Sequence, residues 1–308
     1  MSITNLPGEL RERSPATLSR DGRRSLIAWA GLVPALAILV TYRLVPLLWN
    51  VVLSFENMRY TGETTWVGLE NYQKLLEDRV FWDALLNTIL FLGSVPIAVT
   101  IALGLALLLN KQFPGSKIFR SMFFLPYITM MVAIAVIWSY MFKTQGGVIN
   151  FVLQDAGLIG NNIRWLSESW WARASIIIVH VWKTTGFYLI IILAGLQNIS
   201  PSIYEVARID GASRRQRFMY ITLPLLKPTL GVCALVGLVT SFELFDLVQV
   251  LTAGGPARST EILITWIYKQ AFEFGNFGYS AALTIVLFVI MAGMSLLGAY
   301  LQGRDSFT

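Results

Sequence analysis

Long apolar runs alternate with charged, glycine-bearing segments along the whole chain. Residues 84–110, 121–142 and 274–303 contain no charged side chain. Three further runs reach similar length around isolated charges: 26–55 holds Arg43, 174–196 holds Lys183, and 229–252 holds Glu243 and Asp246. A bilayer's hydrocarbon core is about 30 Å thick and a helix rises about 1.5 Å per residue, so about 20 apolar residues cross it. The pattern predicts six spans, at about 26–55, 84–110, 121–142, 174–196, 229–252 and 277–301. Lipid offers the backbone no hydrogen-bond partners, and an uncharged run of this length satisfies itself as a helix. The expected fold class is an all-α membrane protein, its spanning domain at 26–303 between polar tails at 1–25 and 304–308. The first run is too long for a signal-peptide core and lacks a small-residue cleavage site, so it is expected to remain as an anchor.

Composition agrees with the pattern: 55% of residues are hydrophobic and 14% charged, with a mean hydropathy of +0.61. The distribution of positive charge then sets orientation. Segments 1–25, 111–120, 198–227 and 304–308 hold fourteen Lys and Arg residues, against eight in 56–83, 143–173 and 253–275. Both termini and the 198–227 loop are therefore expected in the cytoplasm. The net charge of +6 reflects this topology, and nucleic-acid binding is not needed to explain it. Between spans, Leu69, Tyr72, Leu75 and Leu76 recur at helical spacing and predict a short surface helix within 68–82. Trp165, Trp170 and Trp171 suit a membrane interface.

The most informative segment lies between the fourth and fifth spans. Pro201 suits a first helical turn, and Ser202 with Glu205 three residues on has the form of a capping box. Gly211 supplies a stop, because glycine takes a left-handed backbone at no steric cost. Ser213 is placed to cap a second helix carrying Arg214, Arg215 and Arg217, which suit headgroups or an acidic partner. The expected form is two short helices joined at a glycine.

Glu205 and Ala207, Gly211 four residues on, then Ile221 and Leu223-Pro224 resemble the E-A-A loop of ATP-binding-cassette importer permeases. Val206 stands where that family usually has a second alanine. The resemblance implies a coupling helix that docks in a cleft of an ATPase subunit, a role it extends to Glu205, Ala207, Gly211, Ile221, Leu223 and Pro224. Further segments are similar to the carbohydrate-uptake branch of the family: 67–72, 124–126, 182–183, 245–246 and 251–256. By this resemblance the fold is that of a type I importer permease in the bacterial cytoplasmic (inner) membrane. It implies a second permease subunit forming a heterodimer, two ATPase subunits that bind ATP and Mg, and an extracytoplasmic binding protein. The implied cargo is a sugar, oligosaccharide or sugar-like polyol, with glycerol-3-phosphate or a glycerophosphodiester as the alternative. Taken without the resemblance, the loop is a basic amphipathic segment lying on anionic lipid.

No phosphate-binding G-x-x-x-x-G-K-[ST] loop occurs, so ATP hydrolysis is expected in another chain. His180 is the sole histidine and Cys233 the sole cysteine; neither has the neighbours of a metal or nucleophile site, so no catalytic or metal-ligating residue is expected. His180 reads as a packed polar residue. A self-sufficient ion-coupled transporter is the rival of a different class, but the inverted repeats of such folds are not visible. Charges inside spans face cavities or partners rather than lipid. Glu243 and Asp246, three apart, are expected on one interior face, either receiving substrate hydroxyls beside Phe245 or neutralised by Lys183 or Arg43. Trp138 and Tyr188 are further candidates for the pathway, with packing as their alternative role.

Overall fold

The computed structural model describes residues 20–305 apart from 61, 63, 112 and 243. Two compact units divide the chain between Val52 and Leu53. The described part of the first is one continuous helix, α1 (Arg20–Leu39), a π-helical turn at Val40–Leu44, and α2 (Val45–Leu53), whose apolar stretch runs from Trp29 to Leu53. Arg43 sits in that π turn with its side chain exposed, so the span widens at the charge and does not split.

The second unit opens with a two-residue hairpin, β1 (Glu56–Asn57) antiparallel to β2 (Thr65–Trp66). The surface helix foreseen from the Leu and Tyr spacing follows as α3 (Glu70–Glu77). Asn71 anchors it by donating to the carbonyls of Ser54 and Glu56, both at 3.0 Å. Next come α4 (Arg79–Leu92) and α5 (Ser94–Leu109), together one span of 31 residues. Asp78 caps α4 by accepting from the Val80 amide.

The third span departs from expectation. In place of one helix through 121–142, α6 (Ser116–Ile128) and α7 (Met131–Met141) meet at a bend of 97°. The sequence contributes Pro126, which cannot donate to the helix ladder. The rest of the cause lies on another span. After α8 (Val148–Asp155), the fourth span α9 (Ser169–Gln197) carries Lys183, whose ammonium donates to the carbonyls of Pro126 (3.1 Å), Tyr127 (3.0 Å) and Thr129 (2.5 Å). Those are orphan acceptors at the end of α6, where a cation is favoured. Lys183 is therefore satisfied by backbone oxygen; the expected pairing with a carboxylate does not occur at Asp246.

Beyond α9 come α10 (Pro201–Ile209), α11 (Arg214–Arg217), a π turn at Phe218–Thr222 and α12 (Leu223–Phe242). The fifth span ends there rather than at residue 252. Leu244 leaves helical geometry at ψ 17°, and α13 (Phe245–Leu251) starts anew. Asp246 thus lies beyond the end of α12, exposed in the first turn of α13. Glu243 itself is outside the described residues. The chain closes with α14 (Leu263–Tyr268), a π turn at Lys269–Glu273, and α15 (Phe277–Asp305). Among the described residues five helices are long and apolar enough to cross a membrane, or six when the bent pair α6–α7 is taken as one span.

α5 and α9 pack most extensively. Ala98, Ala102 and Ala106 recur every fourth residue on α5 and are wholly buried against Leu189, Ile192, Leu193 and Leu196. Small residues at that spacing let two backbones approach, which drives association in lipid. Gly186 does the same towards α6: a Cβ there would collide with the Phe123 carbonyl oxygen. His180, packed as expected, is buried with its Nδ1 2.6 Å from the Ser94 hydroxyl.

Candidate coupling site

α10 begins at Pro201, whose missing amide costs nothing at a first turn. The Ser202–Glu205 capping box does not form. Ser200 holds the cap position without a side-chain bond, and Ser202 Oγ lies 2.8 Å from Ser200 Oγ. The helix end is built from the glycine. Gly211 has φ +78°; its amide donates to Arg208 O (3.1 Å) and that of Ala212 to Ala207 O (2.9 Å). This is a Schellman closure, in which two orphan carbonyls are satisfied only because one residue adopts a left-handed backbone. α11 starts three residues after Gly211 with the capping box that α10 lacks: Gln216 N donates to Ser213 Oγ, and Ser213 N to Gln216 Oε1.

Two features could not be read from sequence. The Tyr204 hydroxyl lies 3.0 Å from that of Thr222, tying the middle of α10 to the base of the fifth span. Ile203, Val206 and Ile209 form an uncovered apolar stripe, at 40%, 57% and 85% exposure. Ala207 is buried, Glu205 exposed, and Ile221 joins Ser202, Ile203, Val206, Ala207 and Asp210 around a cavity of about 380 Å³. The loop thus brings Ala207 and Ile221 to one cavity, with Gly211 at the end of α10 outside its lining, while Leu223 and Pro224 open α12.

The intramembrane candidates are dispersed. Trp138, on α7, stands edge-on to Trp182 at 5.5 Å and beside Phe142 at 5.2 Å. Tyr188 is buried against Phe187. Phe245 packs on Tyr268 at 5.0 Å. At the end of α12 the Ser241 hydroxyl is buried with no hydrogen-bond partner among the described residues.

A second assembly was marked in the sequence only by the family-like segment 251–256. The 252–261 loop carries positive φ at Ala253, Gly254, Ala257 and Arg258, a conformation that costs a non-glycine residue roughly 1–2 kcal/mol. Tertiary bonds hold it. Asn87 donates to the carbonyls of Arg258 (3.3 Å) and Glu261 (2.9 Å), and Arg173 Nε to Ser259 O (2.8 Å). Beneath it Glu261, 1% exposed, receives Lys269 Nζ at 2.5 Å and the Thr265 hydroxyl at 2.6 Å, while the same ammonium donates to Ala253 O at 3.1 Å. A lone Glu and a Lys eight residues on give no signal by spacing.

Residues 81–304 match the family described as the binding-protein-dependent transport system inner membrane component. The chain belongs to this family. It is accordingly a multi-pass inner-membrane component of an ABC transporter, the transport subunit of that system. The chain is 38% identical over 296 residues to the lactose transport system permease protein LacF of Rhizobium radiobacter, covering 92% of this chain and 98% of that one. It is 36% identical over 280 residues to the sulfoquinovosyl glycerol transport system permease protein SmoG of Agrobacterium fabrum, covering 90% of each. Among solved structures, the permease fold aligns with a chain of a bacterial ABC transporter involved in import of the acidic polysaccharide alginate. The TM-score is 0.81 at 25% identity, over 92% of this chain and 98% of that one.

Proposed function

We propose that this permease moves a sugar, oligosaccharide or sugar-like polyol inward, driven by ATP hydrolysis on two separate ATPase subunits that bind ATP and Mg. It does so paired with a second permease and fed by an extracytoplasmic binding protein. The observation that carries the reading is the bare apolar stripe Ile203, Val206 and Ile209 on a helix closed off by Gly211. Burying one such side chain contributes about 1.5–3 kcal/mol, so α10 offers a hydrophobic docking face. Its cavity beside Ala207 and Ile221 gives a partner surface something to fill. Movement imposed on α10 passes through the Tyr204–Thr222 bond to the base of α12. At the far end of α12 the span breaks beside Ser241, where a rigid-body tilt is converted into a change in the pathway. Glu243, Asp246, Phe245, Tyr188 and Trp138 remain the proposed pathway residues.

A carbohydrate cargo is supported by the relatives, whose names specify lactose and sulfoquinovosyl glycerol, and by the alginate importer's fold. The test is reconstitution with the partner subunits in vesicles, followed by a panel of sugars, polyols and glycerophosphodiesters. Stimulation of ATPase and uptake by a carbohydrate supports the reading. Stimulation by phosphodiesters alone reassigns the cargo, and uptake driven by an ion gradient without ATP removes the importer reading.

A further inference from the structure

Two cavities are lined by residues of α6 that neighbour one another in sequence, Ile118 and Arg120 in one and Phe119 in the other. The first, about 650 Å³, lies at the turn leading from α5 into α6 and is lined by residues 113–118 and Arg120. Its charged groups are Lys117 and Arg120 alone, and the chain contains no Asp or Glu between 84 and 154 to neutralise them. Arg120 Nη2 donates to Leu109 O at 3.1 Å, which holds the guanidinium in place, while its Nε is buried with no partner among the described residues. The second cavity, about 730 Å³, is apolar and begins within one helical turn of the first. Ile101 and Leu105 of α5, Phe119, Met122 and Phe123 of α6, and Trp182 of α9 line it. It follows α6 from Phe119 to Thr129, roughly 15 Å of helix at about 1.5 Å per residue.

We propose that these two cavities form one site for a membrane phospholipid with an anionic headgroup, its phosphate on Lys117 and Arg120 and an acyl chain in the apolar groove along α6. Length and charge together select this occupant. One leaflet is half of a hydrocarbon core about 30 Å thick, which matches the groove, whereas a membrane-crossing helix of a partner needs about twice that length. Basic groups at the mouth of an apolar groove are what an anionic headgroup above its own acyl chain requires. The exposed Phe113 and Ile118 beside the basic pair place the mouth at an interface rather than in open water.

The experiment uses the assembled transporter in nanodiscs of equimolar dioleoylphosphatidylglycerol and dioleoylphosphatidylcholine. A benzophenone amino acid at Met122 captures the occupant of the groove; the same group at Ile137, an exposed position of α7, reports a second membrane-span surface. Phospholipid adducts at Met122 should be enriched in phosphatidylglycerol over those at Ile137 by about twenty-five-fold, since each basic group contributes about fivefold. Lys117→Gln and Arg120→Gln should each reduce the enrichment about fivefold. The Met122-to-Ile137 comparison needs neither variant, so a variant that fails to assemble leaves the test intact. A polypeptide adduct at Met122, or equal lipid ratios at the two positions, overturns the proposal.

Discussion

The Tyr204 and Thr222 hydroxyls, 3.0 Å apart, form a direct side-chain link between the short helix of the 198–227 loop and the helix that follows it. A neutral hydrogen bond contributes about 0.5–1.5 kcal/mol. Tyr204→Phe should therefore lower uptake several-fold while the ATPase still co-purifies with the permease. ATPase activity should respond less to substrate. Wild-type uptake in an assembled Tyr204→Phe complex would show that force reaches the fifth span by another route.

Gly211 separates backbone strain from steric contact. Nothing within the chain lies within 4 Å of a Cβ built there, yet φ is +78°. Asparagine tolerates that region and valine does not. Gly211→Asn should keep most uptake, and Gly211→Val should abolish it by opening the Schellman closure. Equal loss in both variants would instead place a partner surface against the glycine.

Removing the Lys183 ammonium leaves three backbone acceptors at the bend of the third span without their donor. Charge-assisted bonds contribute about 1.5–3 kcal/mol, so Lys183→Met should lower the thermal midpoint of the purified complex and shift cleavage by a protease towards the α6–α7 junction. An unchanged midpoint would mean that Pro126 alone maintains the bend.

Glu261 and Lys269 should behave as a pair. Breaking a buried ion pair from one side costs about 3–5 kcal/mol, while replacing both partners is often close to neutral. Glu261→Gln should destabilise strongly, and Glu261→Gln with Lys269→Met should recover much of the loss in a thermal melt. A double variant as unstable as the single one would show that Lys269 acts chiefly through the Ala253 carbonyl.

Orientation can be read with reporter cysteines at the exposed positions Ser167 and Arg215, since Cys233 is buried and gives little background. In intact cells an impermeant reagent should label Ser167→Cys and spare Arg215→Cys. The reverse pattern would invert the topology inferred from the charge distribution.

What the sequence revealed and what it hid divide along the range of the interactions. The spans were legible because apolar length is local information, and so was the end of α10, where Pro201, Gly211 and Ser213 each act within a few residues. The capping box was misplaced for a related reason. Ser202–Glu205 and Ser213–Gln216 have the same local form, and only the second meets a free helix start. The break in the third span was hidden because its anchor, Lys183, lies 54 residues beyond Thr129. Glu261 was hidden because its partners include Asn87, 174 residues away. The expected shared face of Glu243 and Asp246 carried helical spacing towards a point where the backbone at Leu244 leaves helical geometry; Glu243 lies outside the described residues.

The π turn at Phe218–Thr222 changes how a substitution scan through this region must be read. An α-helix advances 3.6 residues per turn, so each residue occupies about 100° of the wheel. A π turn inserts one additional residue into the winding. A wheel drawn with uninterrupted α periodicity from Arg214 to Phe242 therefore puts the arginines about 100° from their true azimuth relative to Leu226 and Cys233, the buried side of α12. Tolerant and sensitive positions on either side of the turn will look out of phase, and that offset is the signature of the extra residue.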